Sequence, residues 1–445
     1  MRKANELLLG LTLALAGCAH APPAPQNPVG FESAFAARKM TAPANGVWTS
    51  ADLLEVVLAR SPVVAAAGAR RSAALASLRA TRLPRAPTLT LTAEYADERP
   101  TFGGGAKGEF PLRSWGLRRA QIGAAELTAL QALYDHAEAV WTVRAALARA
   151  LAAADGAETE RATAERLEAL RSERVARIER RVALGEDERP LALSSRVELA
   201  RAAARRRDAE ARHLAARLAL AATLSLPAEA IEGLRISVSA AGPQGDLASL
   251  RRAAIAGRSD VLRAVADYDL AEVALRTEVA RQYPEVRLGP GYMYDHGVNK
   301  LPFDLSLGLP PSDGNRSGIA RAEAERAAAG RALEAAQAGV LARIDAAVAA
   351  RAAAQDTTTK IERDALSAAR GLAERSARAV RAGQADRVDE LGARALVAET
   401  ELDLAAAQSG ARLAAVDLED ALRHAADPAE AVVLARVLAA AGALR

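Results

Sequence analysis

Three stretches of the chain alternate between apolar and polar residues, the period of a strand with each face in a different environment. In Thr88–Tyr95, Leu89, Leu91, Ala93 and Tyr95 fall on one face and Thr88, Thr90, Thr92 and Glu94 on the other. Phe303, Leu305, Leu307 and Leu309 likewise oppose Asp304, Ser306 and Gly308. Val286, Leu288, Tyr292 and Tyr294 oppose Arg287, Gly289, Gly291 and Met293, with Pro290 interrupting the run, and a weaker fourth strand is expected around Lys107 to Leu112. Gly103-Gly104-Gly105 reads as a hairpin turn between the first pair. Tyrosines near the strand ends suit a membrane barrel, apolar toward lipid and polar toward a lumen; a soluble, half-buried hairpin carries the same pattern.

Helix is expected nearly everywhere else. From Gly116 to Gly185, and again from Gly314 to Gly383, the chain runs 69 steps without a proline. Each run is long enough for a helix of about 100 Å. A helix from Ser61 to about Leu83 opens on a capping serine and a first-turn proline, Ser61-Pro62. Returning helices are expected from Pro190 to Leu226, stopped by Pro227, and from about Arg387 to Ala425, stopped near Pro428. Ser61 and Ser259, Gly185 and Gly383, and Leu193 and Leu391 are each 198 residues apart, which marks a duplicated unit. That period far exceeds the ~20 to 50 residues of solenoid repeats, so the chain reads as two similar halves. In each half the short helix and the return helix together come close to the long one in length, so they can stack end to end beside it. Ala-rich helices of this length need partners, because a narrow apolar stripe must be buried in a coiled coil.

Composition agrees with this picture and narrows the function. The 445 residues are 51% hydrophobic but only 3% aromatic, which excludes a disordered chain and favours helices packed closely through small side chains. The 59 basic and 55 acidic residues are interspersed and leave a net charge of +4, so no basic face for nucleic acid is expected. At the amino terminus, Arg2 and Lys3 precede an apolar run from Leu7 to Ala16, too short to span a bilayer and shaped like an export signal. It ends in Leu15-Ala16-Gly17-Cys18, and Cys18 is the only cysteine. This string resembles the bacterial lipobox, which implies that residues 1–17 are removed, that Cys18 carries a covalent lipid, and that Ala19 after it favours the outer membrane. Residues 18–48 then form a lipidated tether stiffened by Pro22-Pro23-Ala24-Pro25.

Chemistry for catalysis is not visible. His20, His136, His213, His296 and His424 include no pair at three- or four-residue spacing, so no helix presents a metal site of that kind. There is no G-x-x-x-x-G-K-[ST] phosphate loop, and Glu160, Glu165 and Glu168 sit among arginines at helical spacing as solvated ion pairs. No enzyme activity, metal or cofactor is expected beyond the lipid on Cys18.

The residues resemble TolC-type outer-membrane efflux proteins. The resemblance rests on Pro87 and Pro284 before the first strand of each hairpin and on Leu-Gly-Leu-Pro-Pro-Ser-Asp-Gly-Asn-Arg-Ser-Gly-Ile-Ala-Arg after the last. It rests also on Gly185 and Gly383 followed by Leu193 and Leu391. It implies a mainly α fold of duplicated long antiparallel coiled-coil helices, with two short β-hairpins contributing to a trimeric, 12-strand outer-membrane β-barrel. Residues 49–245 form the first repeat with its hairpin at 87–112, residues 246–428 the second with its hairpin at 284–311, and residues 429–445 a C-terminal segment. Four strands cannot close a barrel, since the smallest has about eight. The resemblance further implies a homotrimer anchored in outer-membrane lipid and extending into the periplasm. Such a trimer works with a periplasmic adaptor and an inner-membrane pump, in tripartite efflux or type I secretion. Leu184-Gly185-Glu186 and Ala382-Gly383-Gln384 become the adaptor-docking tips and Asp389 part of a periplasmic gate, although the second gate aspartate of the pattern is Gly392 here. The other reading left open by the residues is a lipid-anchored periplasmic coiled-coil adaptor or tether.

Overall fold

The computed structural model describes residues 28–40, 43, 46–95, 97, 99–113, 116–237 and 246–442. The expected signal at 1–17 and the lipidation site Cys18 lie outside them. A short helix α1 (Val29–Ala36) and strand β1 (Trp48–Thr49) lead into the first repeat. Helix α2 (Ser50–Arg60) starts at a reciprocal cap in which Thr49 and Asp52 satisfy each other's backbone amides. Helix α3 (Pro62–Arg82) starts on the Ser61 hydroxyl, which accepts from the Val64 amide at 3.3 Å. Then come β2 (Thr88–Tyr95), β3 (Phe102–Arg113), the 67-residue α4 (Leu117–Ala183), α5 (Arg189–Thr223), a 3-10 turn (Ala228–Ile231) and β4 (Ile236–Ser237). The second repeat gives α6 (Leu247–Gly257), α7 (Ser259–Ala280), β5 (Glu285–Asp295), β6 (Val298–Lys300) and β7 (Phe303–Gly308). It continues with α8 (Arg316–Lys360), a π turn (Ile361–Leu366), α9 (Ser367–Arg381) and α10 (Arg387–Leu422); α11 (Pro428–Gly442) closes the described chain.

The helical plan follows the sequence, with two differences. The second long helix, expected to be uninterrupted, is broken into α8 and α9 by the π turn. One turn earlier, three consecutive threonines, Thr357, Thr358 and Thr359, bond their hydroxyls back to the carbonyls of Ala353, Ala354 and Gln355 at 2.8 to 2.9 Å. Such back-bonding competes with the helical ladder and bends it. Pro428 does not end the return helix; α10 stops at Leu422 because Arg423 adopts a left-handed conformation at φ +50°, and Pro428 begins α11 as a first-turn proline.

α4 is the rod against which the rest assembles. It packs on α3, α5, α7 and α10, while α8 packs on α7 and α10, and α9 on α10. The largest apolar core lies midway along it, where Trp48, Leu53, Leu54 and Val57 meet Val140, Leu147 and Leu151 of α4, Leu224 and Leu226 after α5, and Val433 and Leu434 of α11. Pairing of β1 with β4 in parallel, Trp48 opposite Ile236, closes this region. Arg144 of α4 is 3% exposed there and bridges Glu419 of α10 and Glu430 of α11, both also buried, with its Nε 2.8 Å from Glu430. Arg258, equally buried, donates to Asp260 and to the Ala421 carbonyl at 2.5 Å, tying the start of α7 to the end of α10. Burial opposes ionisation of Asp260, but the hydrogen bonds and charges of Arg258 and Arg343 prevail and hold its carboxyl at about 2.

Candidate channel wall and helical tips

The two hairpins join into one antiparallel sheet in the order β2-β3-β5-β7, with β6 extending the β7 side past Leu301-Pro302. The fourth strand is not weak. β3 runs 12 residues and β5 runs 11, through Pro290, which faces Phe303 of β7. Gly103, Gly104 and Gly105, expected to form a turn, are paired strand residues opposite Glu94, Ala93 and Thr92. Their lack of side chains has a steric cause: a Cβ at Gly105 would sit 2.6 Å from the Tyr292 carbonyl oxygen of β5.

Register aligns the alternation across all strands. Leu89, Leu91 and Tyr95 share a face with Phe102, Ala106 and Phe110 of β3, with Leu288, Tyr292 and Tyr294 of β5, and with Phe303, Leu305 and Leu307 of β7. Nothing among the described residues covers this face: Leu89 is 67% exposed, Leu305 62% and Phe303 73%. A soluble hairpin half-buried on its own protein is therefore not what the strands form. Phe102 to Leu112 covers about 33 Å of strand at ~3.3 Å per residue, which at the ~40° tilt of membrane barrels is a height of about 25 Å. β3 and β5, at 12 and 11 residues, are thus long enough to cross a bilayer. Tyr95 and Phe102 meet edge to face at 5.4 Å at the far end, where His296 Nδ1 lies 2.6 Å from the Pro100 carbonyl and joins the two hairpin loops.

The opposite face is polar. Lys107 reaches across Gly289 to pair with Asp304, and a Cβ on Gly289 would lie 2.7 Å from the Lys107 Cε. Arg287 lies 3.3 Å from both Glu109 and Glu285, Arg85 is 3.7 Å from Glu285, and Lys300 pairs with Asp295. Among the described residues both outer strands, β2 and β7, end the sheet with an unpaired edge, so it is open.

At the other end of the molecule the tips repeat one motif. The amides of Gly185 and Glu186 bond the carbonyls of Val182 and Arg181 at 3.1 and 2.8 Å, and those of Gly383 and Gln384 bond Val380 and Ala379 at 3.0 and 2.9 Å. Gly185 at φ +78° and Gly383 at φ +73° supply the left-handed residue. Among the described residues, a Cβ at either meets nothing within 4 Å, so handedness and not crowding is what requires glycine here. Leu184 projects, 75% exposed, beside Glu186, while Ala382 and Gln384 are exposed at the second tip. Ile178, Val182, Ala192 and Val388 pack between the two tips, and Arg181 pairs with Asp187 at 2.9 Å and with Asp386 across the tips.

Asp389, in the first turn of α10, is exposed and has no side-chain partner among the described residues. Its neighbours do not add to its charge: Glu390 is buried between Arg387 and Arg394 at 2.5 and 2.6 Å, and Asp386 is taken by Arg181. A Cβ added at Gly392 would lie 3.5 Å from the Arg174 Nε. Sequence reasoning missed Lys107, Asp304 and the glycines that make room for them, because only the strand register brings residues nearly 200 apart together. No group of metal-ligating side chains occurs among the described residues, and no described helix is long and apolar enough to cross a membrane.

An open sheet, apolar on one face and charged on the other, carried on a shaft of paired helices, is the protomer architecture of outer-membrane channels with helical tunnels. Residues 53–226 match the family model described as outer membrane efflux protein. No curated protein matches the chain. Among solved structures, the chain is similar to the outer membrane protein VceC of Vibrio cholerae, at 20% identity and a TM-score of 0.70 over 85% of this chain and 97% of that one. A membrane protein of Pseudomonas aeruginosa is 19% identical with a TM-score of 0.70, covering 91% of this chain and 97% of that one. The open-state outer membrane channel MtrE of Neisseria gonorrhoeae is 18% identical with a TM-score of 0.68, covering 84% and 89%.

Proposed function

We propose that the protein is the outer-membrane channel component of a tripartite efflux or type I secretion system. Three copies form a twelve-stranded barrel and a helical tunnel that passively conduct substrates delivered by an inner-membrane pump and a periplasmic adaptor. The open sheet carries this reading: among the described residues its apolar face has no cover and its two edges have no partner, and both needs are met if β2 of one copy pairs with β7 of the next in a closed ring of lipid-facing strands. A second surface supports it. Leu193, Val197, Ala200, Ala204, Ala211, Leu214 and Leu218 recur at alternating four- and three-residue spacing along α5, interrupted by Arg207, and all are exposed. That is the seam of a coiled coil lacking its partner. The adaptor alternative has no use for a bilayer-height sheet assembled from both repeats.

In this reading Cys18 carries the lipid anchor, Leu184-Gly185-Glu186 and Ala382-Gly383-Gln384 receive the adaptor, and three Asp389 carboxylates near the axis oppose leakage through the closed tip. The chain itself does no chemistry, so energy comes from the pump. Cross-linking of the detergent-solubilised, native protein should stop at three chains with an acyl-modified Cys18. A monodisperse, unacylated monomer overturns the assembly. Replacing Gly185 and Gly383 with Val should leave trimers but abolish export, and retained export would remove the docking assignment. Asp389→Ala should weaken block by multivalent cations added to the periplasmic side of a planar bilayer; an unchanged block would make Asp389 surface charge only.

A further inference from the structure

The polar face of the sheet is neutralised almost charge by charge. Asp304 is matched by Lys107, Glu109 by Arg287, Glu285 by Arg85 and Arg287, and Asp295 by Lys300. Glu94 is the exception. It has no ion-pair or hydrogen-bond partner among the described residues, and the position opposite it on β3 is Gly103, where the His296 imidazole and no lysine or arginine borders the gap left by the missing side chain. It is the penultimate residue of β2, next to Tyr95, at the end of the sheet remote from the helices. Nearer the middle, the β5 positions on this face are Gly289 and Gly291, and Lys107 lies flat over them, held down by Asp304 instead of projecting.

We propose that Glu94 sets the ion preference of the pore, and that the Lys107–Asp304 pair keeps the rest of its wall neutral. The inference rests on the channel reading above, which turns this face toward the lumen. Three copies then place three carboxylates without an ion-pair partner around the outer mouth, raising the local concentration of cations. Lys107 and Asp304 are 42% and 52% exposed, so their pair adds little to stability. Its effect is on the field: without Asp304, Lys107 is free to rise into the lumen as an uncompensated cation, and without Lys107, Asp304 becomes a second anionic position.

The test is the reversal potential of the full trimer in a planar bilayer across a potassium chloride gradient. It is recorded in an Asp389→Asn background so that the tip carboxylates do not contribute. The potassium-to-chloride permeability ratio should exceed one, and Glu94→Gln should lower it about twofold at low salt, with the difference shrinking as the Debye length shortens. Asp304→Asn should also lower the ratio and Lys107→Met should raise it. Trimers seen on unheated gels confirm that each variant is assembled. A Glu94→Gln channel with an unchanged ratio, or Asp304 and Lys107 variants that fail to shift in opposite directions, overturns the assignment. Assembled trimers that conduct no current overturn instead the channel reading on which it stands.

Discussion

Leu193 and Leu391 hold the same place in the two halves of the duplication, eight residues beyond each tip glycine, yet Leu193 is 60% exposed and Leu391 is fully buried. Arg144 and its counterpart 198 residues on, Ala342, differ in the opposite sense: Arg144 is buried in the central rod and Ala342 is exposed on the flanking one. The long helices show why. α4 is packed on both repeats and buries residues along most of its length, whereas α8 lies outside α7 and α10 and buries only Ala322, Val340 and Ile344. Duplicated segments thus share their local structure but not their surroundings. The faces left open, α5 on one flank and α8 and α9 on the other, are those a neighbouring copy covers in the proposed trimer.

Altering the central rod should have the largest effect. Arg144→Ala leaves Glu419 and Glu430 buried without their cation, and the expected loss is about 3 to 5 kcal/mol of stability, read from denaturant unfolding in detergent. Substitution of Ala342 by Arg should cost far less, and equal losses at the two positions would erase the contrast between the rods.

Next in size is the leucine pair. Leu391→Ala should cost about 2 to 5 kcal/mol by opening a cavity in a filled core, with the loss visible in protomer unfolding. Leu193→Ala should leave protomer unfolding nearly unchanged and instead lower the temperature at which trimers separate on gels. An effect of Leu193→Ala on the isolated protomer matching that of Leu391→Ala would mean that α5 is covered within its own chain.

Acid should discriminate between the halves more gently. The folded carboxyl of Asp260 lies at about 2, below its ordinary 3.8, so its contribution is complete above about pH 5 and is lost as the pH falls through about 2. The difference corresponds to about 2 kcal/mol, and Asp260→Asn should flatten that part of the pH–stability profile. The residue at the same place in the first half is Pro62, which carries no charge to titrate.

The smallest expected change is at the break in the flanking rod. Replacing Thr357, Thr358 and Thr359 with Ala removes the hydroxyls that bond the preceding turn, and should change stability by about 0.5 kcal/mol or less while raising the amide-exchange protection of the π turn. Unaltered exchange there would trace the interruption to packing on α10 and not to the threonines.

Much of the fold was legible because it is governed by local rules. Helix length followed from runs without proline, helix starts from Ser61-Pro62, and tip turns from Gly185 and Gly383. Less of the channel wall was legible. Gly103, Gly104 and Gly105 of β3 look like a turn because their flanking residues do not show that carbonyls of β2 and β5 lie where their Cβ atoms would be. Pro428 looks like a helix stop because proline serves equally at a first turn, and the left-handed Arg423 that ends α10 bears no mark in its own identity. Asp389 and Glu390 are adjacent carboxylates in the sequence, and only the positions of Arg387 and Arg394 make one exposed and the other buried.

By itself, then, the sequence determined what propensity, spacing and alternation can encode: the duplicated plan, the lengths of the rods, and one apolar and one polar face for each strand. Tertiary structure decided the register that joins two distant hairpins into one open sheet, the placement of Lys107 over Gly289 toward Asp304, and which copy of each repeated residue is buried. The division has a physical reason. A residue's backbone preferences act over a few neighbours, while burial and ion pairing depend on what another part of the chain, or another copy of it, brings within a few ångströms.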